Sequence, residues 1–72
     1  MNEKEKETAL SLLHGDFWQS LAQACGGQCK GFSHLYYASF TWPNGNTSEI
    51  NRGMRDALVA LTGIKMPVEG IR

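Results

Sequence analysis

Two thiols and two imidazoles, Cys25, Cys29, His14 and His34, are the most reactive side chains in the sequence. Such a set is a common tetrahedral ligand sphere for zinc. The spacing argues against it. His14 and Cys25 fall on what reads as one helix, separated by about 16 Å of rise, so they cannot share an ion. Cys25, Cys29 and His34 alone supply three ligands, and a Cys-x3-Cys in a glycine-rich turn with no second pair is a weak zinc signal. Nucleophilic catalysis needs a base beside the thiol and a third group to orient that base. Cys29 with His34 is the one nearby pairing, and an inward-facing His34 points away from a loop thiol. The chain also contains no phosphate-cradling glycine loop, no His-Glu-x-x-His and no Gly-x-Ser-x-Gly. The expectation is a chain with no catalytic residue, no metal and no cofactor. Cys25 then serves as a small buried hydrophobe, Cys29 as a loop thiol and His34 as a satisfied, partly buried imidazole.

A second candidate is Arg52, Arg55 and Lys65, placed on a helix and just past its end, which suit phosphate contacts. Seven basic and seven acidic residues leave a formal net charge of zero. Glu49, Asp56 and Glu69 dilute the basic group, and phosphate contacts dominate nucleic-acid affinity. Nucleic-acid binding through these three residues is the alternative reading. The preferred one makes Arg52, Arg55 and Asp56 the solvated face of an amphipathic helix. No apolar run approaches the ~20 residues a membrane-spanning helix requires. The opening Met-Asn-Glu-Lys-Glu-Lys-Glu is not a secretory segment. A cytoplasmic chain with reduced thiols is expected.

The residues most suited to binding lie in Phe32–Trp42, which holds five of the seven aromatic side chains and no Gly or Pro. Read with period two, one face carries Phe32, His34, Tyr36, Ala38, Phe40 and Trp42, and the other Ser33, Leu35, Tyr37, Ser39 and Thr41. That alternation predicts one long strand. Before it, Leu10, Leu13, Phe17, Leu21 and Ala24, widened by Ala9, Leu12, Trp18, Ala22 and Cys25, predict an amphipathic helix over 5–25. The apolar phase is kept across Gly15, and Gly26-Gly27 ends the helix. Pro43-Asn44-Gly45-Asn46 predicts a turn. Asn46-Thr47-Ser48-Glu49 resembles a capping box opening a second helix over 47–62, with Ile50, Met54, Ala57, Leu58 and Leu61 as its buried stripe and Gly63 as its stop. Residues 64–68 alternate like a short C-terminal edge strand, which Pro67 restricts to an edge.

Together these elements predict a single small α+β domain over 1–72, two amphipathic helices on a central aromatic strand, with 1–7 and 65–72 frayed or extended. An all-α arrangement of three or four helices is the alternative, since Phe32, Leu35, Tyr36, Ser39 and Phe40 also share a helical face. The predicted core is Leu13, Phe17, Leu21, Phe40, Leu58 and Leu61. A strand over 32–42, apolar on both faces, needs cover along its edges. The functional expectation is accordingly a small non-enzymatic protein-binding module, an adaptor, inhibitor or regulator. Trp18, Leu35, Tyr37 and Trp42 are its interface, and a homodimer joined through the strand is its expected form.

Overall fold

The structure, a computed structural model, describes residues 2–33 and 36–67. The elements run α1 (Glu3–Ala24), β1 (Gln28–Ser33), β2 (Tyr37–Thr41), β3 (Thr47–Ile50) and α2 (Arg52–Thr62), an α+β fold. The all-α alternative is not supported. Among the described residues the strands form one antiparallel sheet in the order β1-β2-β3. Helix α1 packs against β1, and α2 packs against α1.

Helix α1 starts two residues before the predicted boundary because the Asn2 side chain accepts a hydrogen bond from the Glu5 N–H at 2.8 Å. Glu3 and Glu5 favour its positive N-terminal end. The helix runs through Gly15, as the unbroken phase predicts. The missing side chain is used there: a Cβ at Gly15 would lie 3.3 Å from the Phe32 ring. At the other end Gly27 N–H donates to Ala22 C=O and Gly26 N–H to Gln23 C=O. With Gly26 at φ 86°, this is a Schellman ending, and it turns the chain directly into β1.

The long aromatic strand is instead a hairpin. Tyr36 N–H donates to Ser33 C=O at 3.0 Å, and Ser33 pairs with Tyr37, Phe32 with Ala38 and Cys29 with Phe40. The chain therefore reverses between Ser33 and Tyr36; His34 and Leu35 lie outside the described residues. A bulge at Lys30 separates Cys29 from Gly31 in the ladder.

The second helix is shorter than expected, for a related reason. Gly45 at φ 87° and the Trp42 N–H to Asn46 C=O bond of 2.8 Å make Pro43–Asn46 a tight reversal. A tight reversal lays the following segment antiparallel beside β2, so Thr47–Ile50 pairs there as β3. The cap is Asn51, whose side chain accepts from Met54 N–H at 3.0 Å. Helix α2 is accordingly 52–62, not 47–62. Gly63 ends it in the left-handed region. Residues 63–67 form no strand, and Ile64 and Met66 instead lie on the core. The remainder of the suggested edge strand lies outside the described residues.

The core is Phe17, Trp18, Leu21 and Ala22 from α1 with Ala38, Phe40 and Ile50 from the sheet. Trp18 stands edge-on to Phe17 (5.4 Å) and Phe40 (6.0 Å), and Phe40 edge-on to Trp42 (5.8 Å). Of the predicted core, Phe17, Leu21 and Phe40 are buried and Leu58 is half-buried, whereas Leu13 and Leu61 are exposed. Both helices are rotated about their axes relative to the expected stripes. The buried line of α1 passes through His14, Trp18 and Leu21, and that of α2 through Arg55, Leu58, Val59 and Thr62.

Candidate functional site

Of the four predicted interface residues, the three that are described, Trp18, Tyr37 and Trp42, do not form one surface. Trp18 is fully buried and is a core residue. Trp42 is half-buried and fixed: its Nε1–H donates to Ser48 Oγ at 2.9 Å, and its ring packs on Phe40. Tyr37 is exposed, on β2 next to the exposed Tyr36. Leu35 lies outside the described residues. Only the face of β2 that carries Ala38 and Phe40 is buried, Tyr37 stays on the exposed face, and Trp18 is drawn into the core from α1.

Both edges of the sheet carry features that discourage strand addition. On β1 the Cys29 N–H donates to Gln19 Oε1 at 2.8 Å, so an α1 side chain occupies one outward donor, and the Lys30 bulge breaks the line beyond it. On the far side β3 has only 4 residues and carries Glu49. Short strands, bulges and charges are the devices that discourage edge pairing.

The basic set also fails to assemble. Arg55 is only 4% exposed, and its Nε and Nη2 donate to Asp56 Oδ1 at 3.2 and 2.9 Å. Rotation of α2 buries the Arg55 side chain, and its guanidinium donates to the adjacent carboxylate. Arg52 and Lys65 remain exposed, two cations where three were expected.

Both thiols are half-buried and reduced. Burial pushes the Cys29 thiol upward, so it stays protonated at neutral pH and is a poor nucleophile. His14 sits in the buried line of α1. Among the described residues no group of three or more His, Cys, Asp or Glu is placed to hold a metal. Folding is predicted to need neither zinc nor a disulfide. Circular dichroism during a chelator titration of the wild type and of Cys29→Ser should stay unchanged, and loss of helix signal on adding chelator would contradict this.

Besides Phe32, Tyr36 and Tyr37, the fold leaves several aliphatic side chains outside its core. On α2, Met54 and Leu61 are 46% and 82% exposed. They lie two helical turns apart on one flank, with exposed Ala57 between them and Leu58 beside them. On α1, Leu12 and Leu13 are 67% and 43% exposed. Leu12 and Ala9 border a shallow trough of about 350 Å³ with Lys4, Glu5 and Thr8. Side chains seven apart on a helix stack along one face, so Met54 and Leu61 make a stripe rather than scattered surface residues. Sequence reasoning had spent these leucines on the core. The signal that separates them is that α1 has apolar residues on both sides, more than one sheet can cover. Among the described residues no helix is long and apolar enough to cross a membrane. Comparison with known proteins finds no matching family model, no matching curated protein and no matching solved structure.

Proposed function

We propose that this chain is a small non-enzymatic protein-binding module, an adaptor, inhibitor or regulator that works through exposed apolar helix surface in a reducing, cytoplasmic setting. The observation that carries the reading is the Met54–Ala57–Leu61 stripe on α2. It is left outside a core that is already closed by Trp18, Leu21 and Phe40. A stripe of this length and spacing fits the apolar side of an amphipathic helix, which anchors by residues one and two turns apart. Exposed Arg52 and Asp56 supply a mixed polar rim, as protein interfaces use. Nucleic-acid binding through Arg52, Arg55 and Lys65 loses its middle member to Asp56 and is not carried further.

The test is co-isolation of the tagged chain from its own cells, followed by mass measurement of the intact complex. Wild type should return a complex of fixed stoichiometry with another protein. Met54→Glu/Leu61→Glu should lower recovery of that protein at least tenfold, because charge is costly to bury unpaired. Recovery of the wild type with no other protein, or full retention by the double variant, would contradict the reading.

A further inference from the structure

Helix α1 is 22 residues long, about 33 Å, whereas the strands have 4 to 6 residues and span at most about 20 Å. The sheet therefore runs out before the helix does. Glu7 shows where: it lies on the same line as Ser11, His14 and Trp18, yet it is exposed while His14 and Trp18 are buried. Over its first half α1 thus has little cover from the sheet, and one flank of it is apolar, with Leu13 exposed and Ala9 and Leu10 half-buried. That side carries Lys6, Ala9, Leu13 and Asp16, at successive steps of three, four and three, with Leu10 and Leu12 on its shoulders. This is the spacing of a seam between two paired helices.

We propose that this side of α1 pairs with the same side of a second copy of the chain, the two helices running antiparallel about a two-fold axis. The proposal rests on the protein-contact reading and names one partner for it, on a surface separate from the α2 stripe. Charge decides the occupant and the direction. The apolar pair Ala9 and Leu13 is flanked by a cation, Lys6, and an anion, Asp16, both exposed. An antiparallel register that sets Ala9 against Leu13 of the second copy also sets Lys6 against Asp16 of the second copy, since the two pairs share a midpoint. The two-fold axis forms each contact twice. A parallel pairing would instead place Lys6 beside Lys6 and Asp16 beside Asp16, which repel. The shoulders fit the same arrangement, with Leu12 meeting Leu12 on one side and Leu10 meeting Leu10 on the other. One helix pair of this length belongs with the small interfaces, below about 1,200 Å² in total, so a reversible dimer of modest affinity is expected.

Sedimentation equilibrium between roughly 10 and 500 µM, a range that brackets a weak dimer, tests this on four proteins whose fold is checked by circular dichroism. Wild type should be a reversible monomer–dimer mixture. Leu13→Glu should be monomeric throughout. Lys6→Glu faces like charge twice across the axis and should weaken association at least fivefold. The charge swap Lys6→Glu/Asp16→Lys should restore it to within about twofold of wild type, a rescue that no structural role of either residue alone would give. A monomeric wild type, a dimer indifferent to Leu13→Glu, or a swap that fails to rescue would each overturn the proposal. None of these outcomes bears on the α2 stripe, whose test uses Met54 and Leu61.

Discussion

Trp18→Ala is expected to abolish the folded state at room temperature. The indole is fully buried and touches Phe17 from its own helix and Phe40 from the central strand, so it joins the two layers. Replacing a buried aromatic by Ala removes its transfer energy and leaves a cavity, together about 3–5 kcal/mol. A core in a chain of this size supplies little more than about 3–5 kcal/mol of net stability. The variant should show no cooperative urea transition and should lose most of its helix signal. Trp18→Phe, which keeps an edge-on ring, should retain a transition at lower urea. A Trp18→Ala protein that unfolds cooperatively near the wild-type midpoint would mean that α1 docks through another face.

Gly27→Ala should also be clearly destabilising, although it adds only a methyl group. A Cβ at Gly27 would stand 2.8 Å from Cε3 of Trp42 and 2.9 Å from the carbonyl oxygen of Thr41. Neither neighbour yields easily. The carbonyl belongs to the end of β2, and the indole is tied to Ser48 by its N–H. The Schellman ending of α1 fixes the glycine from the other side, through its own N–H to Ala22. Overpacking of this kind costs about 1–3 kcal/mol, a large part of the total here. Gly31→Ala is the control, since nothing lies within 4 Å of a Cβ there. Its urea midpoint should stay close to wild type while that of Gly27→Ala falls. Equal midpoints for the two would show that the turn into β1 is looser than described.

The extent of α1 was legible because its signals are local: an unbroken apolar phase, acidic residues at the start and two glycines at the end. The reversal within Phe32–Trp42 was not, for a reason that lies in its parity. Ser33 pairs with Tyr37, so three residues are spanned, and the even-numbered positions Phe32, Ala38 and Phe40 stay on one face across the turn. An alternation that passes through a reversal without a break cannot reveal it. The turn also lacks the Gly, Pro, Asn or Asp that usually marks one. At Thr47–Ile50 two signals competed. The residues after Asn46 imitate a capping box, but the tight Asn44-Gly45 reversal imposed a strand, and Asn51 took the capping role.

The orientation of the helices was hidden in another way. An arginine is assigned to solvent by default, and Arg55 breaks that rule, buried with its guanidinium paired to Asp56, the next residue. Once Arg55 turns inward, Met54 and Leu61 must turn toward solvent. The surface proposed for binding is thus a consequence of that burial, and it could not be placed before the burial was known.

The central claim is that Met54 and Leu61 are held outside the core for contact with another protein, and urea denaturation of Met54→Glu/Leu61→Glu tests it most directly. Surface substitutions away from packed features change stability by about 0.5 kcal/mol or less each. The account predicts a stability within about 1 kcal/mol of wild type for the pair and an unchanged slope, alongside the loss of the co-isolated protein. A fall of several kcal/mol would place the two side chains in the core of the isolated chain and contradict the claim.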